Sequence, residues 1–186
     1  MNRKSASIEK RKRSKQATAS PGQGPDAKRL PAPLDLRPPA AWLWAGAGLL
    51  VAAAVLRLFD LTVKPLHHDE GVNGLFLVTL VRNGYYHYDP GNYHGPTLYY
   101  FAWVIAKVSR FLLGGDGLST FGIRLVTALF GIGIVWLLLA LRRQLGHFGA
   151  VSAAALAAVS CGFVFFSRYF IHEILFVFFR FSLGHV

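Results

Sequence analysis

Two imidazoles and two carboxylates stand side by side at His67-His68-Asp69-Glu70, directly after an apolar stretch over residues 41–59. A second ionisable cluster, Ser167-Arg168-Tyr169-Phe170-Ile171-His172-Glu173, follows another apolar stretch near the end of the chain. Ionisable groups at a membrane boundary are costly to place and usually mark an ion, proton or substrate site. The plainer reading of the first cluster is the solvated start of a loop. His172-Glu173 opens like a zinc-protease motif, but the residue four after His172 is Phe176, so the second helical histidine is missing. Proteolysis is excluded on that count.

Composition sets the class in which such clusters must work. The 186 residues are 53% hydrophobic, with a mean hydropathy of +0.39, which is membrane-protein composition. The lone Cys161 lies in an apolar run and offers no disulfide framework. A net charge of +11 suggests nucleic acid at first, but residues 1–30 hold nine Lys/Arg against Glu9 and Asp26, which is +7 of it. That stretch, and the Pro/Gly/Ala/Ser-rich sequence up to residue 40, is poor in large apolar residues and is expected to be disordered. Placed before a spanning helix, it holds the N-terminus in the cytoplasm by the positive-inside rule, with no nucleic-acid role. The first apolar run is too long for a signal peptide and lacks a small-residue cleavage site after it.

The hydropathy pattern predicts an all-α, polytopic membrane protein. Spans are expected over residues 41–59, 122–141 and 148–166, each about as long as a bilayer crossing requires, with a partial one over 174–186. Residues 96–113 are also apolar, but counting them as a crossing would put Arg142-Arg143 outside, against the positive-inside rule. Within this segment Tyr100, Trp103, Lys107 and Arg110 recur on one face. Leu98, Phe101, Ile105, Val108 and Leu112 are expected to line the opposite one. A helix lying in the interface fits that pattern, although its basic side chains would also suit a span by snorkelling. With an interfacial helix, the two ionisable clusters share the extracytoplasmic surface. Residues 60–121 then form a large outer loop, with a further short interfacial helix expected over 72–82. Its turn-rich aromatic part, from Gly84-Tyr85 to His94-Gly95-Pro96, serves as an interfacial belt or as a platform for a sugar or lipid phosphate.

These residues resemble the C-type glycosyltransferases that use lipid-linked sugars, and most nearly a bacterial and archaeal branch of the dolichyl-phosphate-mannose–protein mannosyltransferase-like proteins. The resemblance rests on Pro65-Leu66-His67-His68-Asp69-Glu70, Gly84-Tyr85, Tyr88-Asp89-Pro90, Tyr93-His94-Gly95-Pro96 with Leu98-Tyr99-Tyr100, Arg124, and Ser167-Arg168 through His172-Glu173. It covers residues 41–181 and implies a polyprenyl-phosphate sugar donor. Transfer would be to a hydroxyl on a protein, lipid or glycan outside the cytoplasmic membrane. Asp69 matches the first-loop acidic residue and is the expected base, because a hydroxyl is a poor nucleophile until its proton is taken. The resemblance makes Glu70 its partner or a metal ligand and puts Glu173 at the second acidic position. Arg168 would hold the leaving phosphate, with His94, Tyr88 and Tyr93 in substrate binding. His67, His68 and His172 would orient the carboxylates or, with Glu70, bind Mg or Mn.

Plainer roles stand beside these: Arg168 snorkelling at a helix end, Glu173 starting a helix, His94 capping a turn. A non-catalytic subunit that binds a lipid-linked sugar, or part of a transporter, are the competing functions. Relatives of this kind are expected to be much longer, so the sequence reads as an N-terminal piece, and the 186-residue chain alone is expected to be nearly inactive.

Overall fold

The computed structural model describes residues 38–91 and 94–183. The expected disorder of the basic stretch falls largely on residues 1–37, outside the described residues, and so does Tyr93. Among the described residues there are seven α-helices and no strand: α1 Ala40–Leu58, α2 His68–Asn83, α3 Thr97–Leu113, α4 Thr120–Ala140, α5 Arg142–Val159, α6 Cys161–Ser167 and α7 Glu173–Leu183. Two of them, α1 and α4, are long and apolar enough to cross a membrane; α5 and α6 together make a third candidate, bent by 61°. At 17 residues, α3 falls outside that set.

Helix α4 is the hub, packing against α1, α3, α5, α6 and α7. One core lies between α1, α4, α5 and α7, with Ala53, Ile134, Val135, Leu138 and the small face Ala154, Ala157, Ala158. Alanines let helix backbones approach closely. The second core joins α2, α3, α4 and the segment before α7, with Leu77, Leu80, Leu98, Tyr99, Val126 and Phe170. Outward on the candidate spans stand Trp44, Val51, Val55, Leu129, Trp136 and Leu156, all exposed, as a lipid-facing surface would have them.

Three expectations are corrected here. The short helix after the first cluster begins at His68, four residues before the expected start, so the cluster is a helix N-terminus and not a loop. The cause is a capping box: the His67 imidazole accepts from the Asp69 N–H, and the Glu70 carboxylate reaches back to the His67 N–H. The helix ends where Gly84 takes the left-handed conformation at φ 78°. On α3 the buried stripe is Leu98, Tyr99, Ala102 and Ala106, while Val108 and Leu112 of the expected apolar face are exposed. Ala106 is buried because the turn at Gly117 folds back onto it, so closely that a Cβ at Gly117 would overlap the Ala106 carbonyl. The third expected span is broken at Ser160, between α5 and α6.

The break has a specific partner. Arg57 on α1 is fully buried, and its guanidinium donates to the carbonyls of Ala157 (3.0 Å) and Ala158 (3.1 Å), to Ala53 (3.3 Å) and to Ser167 Oγ (3.3 Å). Two of those carbonyls belong to the last turn of α5, which lacks partners within its own helix. A buried cation therefore closes the end of a broken helix. Gly131 of α4 allows it: a Cβ there would overlap Ser167 Oγ and stand 2.9 Å from Arg57 Nε.

Candidate functional site

The first turn of α2 splits the four-residue cluster into two environments. Glu70, at N3, turns inward and is fully buried, whereas His67, His68 and Asp69 are exposed. Both Glu70 oxygens are fully engaged. Arg124 of α4 donates from Nε to Oε1 (2.8 Å) and from Nη2 to Oε2 (2.7 Å). The backbone N–H groups of Phe170 and His67 donate to Oε1 (3.0 Å) and Oε2 (2.9 Å). Arg124 spends its other donors on the carbonyls of Leu61, Lys64 and Pro65. Burial pushes the Glu70 carboxyl up, but the guanidinium and the two N–H groups outweigh it and hold the pKa below the usual carboxylate range. Glu70 is thus corrected from base partner or metal ligand to a clamp joining α2, α4 and the Arg168–His172 segment. No sequence signal pairs Glu70 with Arg124, since the partners lie 54 residues apart.

Asp69 faces a polar cleft of about 200 Å³ that it lines with His68, Val72, Asn73, His94, Ile171, His172 and Glu173. The two ionisable clusters therefore meet in space. Asp69 Oδ2 stands 3.5 Å from His67 Nδ1, with both side chains more than half exposed. Behind the cleft, Asn73 donates to the Phe170 carbonyl (2.9 Å) and accepts from Tyr99 Oη (2.9 Å), all buried. Asn73, which the sequence reading passed over, and Tyr99, which it quoted without a role, fix the floor. A buried Asn on an otherwise apolar helix face was the available signal. The Tyr86 ring stacks on Tyr99 at 5.3 Å, and Tyr86 Oη donates to the His94 carbonyl at 2.8 Å. Tyr86 and Tyr99 supply this aromatic support, while Tyr88 is exposed and does not line the cleft.

The imidazoles divide their work. His94 stacks on His172 with centroids 4.7 Å apart, and His172 Nε2 lies 3.1 Å from the Gly95 carbonyl. His67 caps α2 and meets Tyr169 edge-on. Among the described residues no group of three or more His, Cys, Asp or Glu side chains is arranged to hold a metal ion. The expected set of His67, His68, Glu70 and His172 is dispersed: Glu70 is locked to Arg124, His67 caps α2, and His172 bonds Gly95. These donors do not fit a divalent cation.

Arg168 is corrected too. Its Nη1 donates to the carbonyls of Leu56 (3.0 Å) and Phe59 (2.7 Å), and its Nη2 to that of Asp60 (2.9 Å), so it caps the C-terminus of α1. It also borders a cavity of about 420 Å³, with Lys64, Arg124, Tyr169 and the apolar Leu56, Leu61, Val164 and Phe165. Lys64 there lies over the Phe165 ring at 5.8 Å. The segment after α6 thus serves two spaces: Arg168 and Tyr169 line the basic cavity, Ile171 and His172 the acidic cleft.

No protein-family model matches the chain, and no curated protein or solved structure matches it significantly.

Proposed function

We propose that the chain is, or is part of, an integral-membrane glycosyltransferase acting at the outer surface of the cytoplasmic membrane. It would move a sugar from a polyprenyl-phosphate donor to a hydroxyl on a glycan, lipid or protein. The reading is supported above all by the meeting of Asp69 and Glu173 in one polar cleft at the ends of apolar helices. In this mechanism the acceptor oxygen attacks the anomeric carbon as Asp69 takes its proton. The bond from that carbon to the phosphate oxygen breaks, and the phosphate leaves with the electron pair. The departing phosphate needs positive charge and no strong acid. With Arg168 largely committed to α1, Lys64 in the basic cavity is the better source.

The same cleft supports a topology. Residues on both sides of α4 and the α5–α6 pair line it, so an even number of crossings separates Asp69 from His172. With α1 outward, α4 returns, Arg142-Arg143 is cytoplasmic, and α5–α6 leads out again, which satisfies the positive-inside rule. Helix α3 then lies against α4 without crossing. Lys107 above the Trp103 ring at 3.6 Å suits headgroup depth.

The test uses the full chain in membranes with a photoreactive polyprenyl-phosphate sugar. Donor capture by the wild type and by Asp69→Asn, with turnover lost only in the variant, fits a transferase. Capture without turnover in both fits a binding subunit or a piece of a transferase that lacks the rest of its machinery, and ion flux without capture a transporter.

A further inference from the structure

Two loops line the acidic cleft, and one stacked histidine pair joins them. The loop between α2 and α3 contributes His94 and Gly95; the segment between α6 and α7 contributes His172. The rings are nearly parallel, 17° apart, with centroids at 4.7 Å. The Gly95 carbonyl, an acceptor only, stands 3.1 Å from His172 Nε2, which fixes the tautomer with hydrogen on Nε2. That leaves Nδ1 with a bare lone pair, buried and without a hydrogen-bond partner among the described residues. The Tyr99 ring closes the site edge-on at 5.2 Å. This arrangement suits a neutral imidazole and no other form. A proton on Nδ1 would find no acceptor there and would face a second imidazole across the stack.

We propose that the His94–His172 contact is a pH-operated latch, closed over the cleft when both rings are neutral and released when His172 is protonated. The elements packed around it contribute groups of both signs. His94 on the loop stacks on His172 and disfavours a proton there. Tyr99 on α3 is neutral and offers His172 only its ring. Glu173 at the start of α7, and Asp69 beside His68 at the start of α2, line the same cleft and would receive a charged imidazole once it left the stack. Burial is the main influence on His172 and pushes its pKa down, as does His94; the Gly95 carbonyl and Glu173 push it up by less. The ring therefore stays neutral at ordinary pH, and acidification opens the loop. This device does not depend on glycosyl transfer.

Hydrogen–deuterium exchange of the full chain in lipid nanodiscs tests it, from about pH 7.5 to about pH 5.5, where imidazoles titrate. After correction for the intrinsic rate, the Tyr100 and Phe176 N–H groups, which bond the Pro96 and His172 carbonyls on the two sides of the latch, should lose protection by up to about tenfold per pH unit below the free imidazole pKa, as one linked proton allows. His172→Phe keeps a ring in the stack and should make that protection independent of pH. The 15N shifts of His172 in the wild type give a readout that needs no variant. They should show the neutral ring protonated on Nε2 at pH 7.5, and titrate together with loop opening. Protection that follows only the intrinsic rate, the same pH slope in His172→Phe, or opening that follows a different imidazole would overturn the latch.

Discussion

Glu70 and Arg124 form a bidentate, fully buried ion pair across 54 residues of sequence, and that pair fixes where the acidic cleft lies. Through the Phe170 N–H and the Leu61, Lys64 and Pro65 carbonyls it ties three segments to α4. Removing one partner leaves a charge and several backbone groups unpaired. Arg124→Leu should therefore destabilise the fold by about 3–5 kcal/mol, read by thermal unfolding in detergent. Arg124→Lys should recover only a minor part, because an ammonium cannot reach this fan of acceptors. Equal stability of Arg124→Leu and wild type would sink the clamp.

The same pair sets an acid limit. A carboxyl whose native pKa lies below its unfolded value adds stability above that unfolded value, and loses it as pH falls through the native one. Glu70 is such a group. Stability should hold through the neutral range and decline below about pH 4, with Glu70→Gln less stable at pH 7 and flatter in acid. This unfolding is separate from latch opening, which belongs to the imidazole range. Midpoints of melting against pH distinguish the two.

Arg57 should matter without touching either cleft. Arg57→Leu leaves the Ala157 and Ala158 carbonyls without partners at the break between α5 and α6. A loss of about 1–3 kcal/mol for each orphaned buried group is expected. Gly131→Ala attacks the same node from the opposite side by overpacking against Ser167, at about 1–3 kcal/mol. Since the two share a site, the double variant should lose less than the sum of the singles.

Asp69 carries the opposite expectation. It is exposed and meets only His67 among the described residues, so Asp69→Asn should change the melting midpoint little, within about 0.5 kcal/mol. If it is the base, turnover in a donor-capturing preparation falls by about 100- to 10,000-fold. Full activity in a folded Asp69→Asn variant would remove it from the chemistry.

Arg168→Ala separates helix capping from phosphate binding. As a cap for Leu56, Phe59 and Asp60, its loss should cost about 1 kcal/mol of stability and leave donor capture nearly intact. Lys64→Ala should do the reverse, leaving stability unchanged and weakening capture.

The apolar runs of α1 and α4 were legible in the sequence because bilayer-length hydropathy is a local property: residues 41–59 and 122–141 became Ala40–Leu58 and Thr120–Ala140 within two residues. The two ionisable clusters were equally legible as costly residues at helix ends. Three-dimensional packing decided their roles. Glu70 and Asp69 are neighbours in sequence and identical in charge. The capping box at His67 nevertheless turns one onto Arg124 and leaves the other in the cleft. Arg168 looked like an anion ligand until the carbonyl end of α1 was placed beside it. The face of α3 was misread because hydrophobicity ranks Val108 and Leu112 above Ala102 and Ala106, whereas the turn at Gly117 folds back onto Ala106. Sequence alone fixed which segments are apolar and which residues are ionisable. Which carboxylate is paired, which imidazole is buried and which carbonyls need a cation depend on partners tens of residues away, and only the tertiary structure decided them.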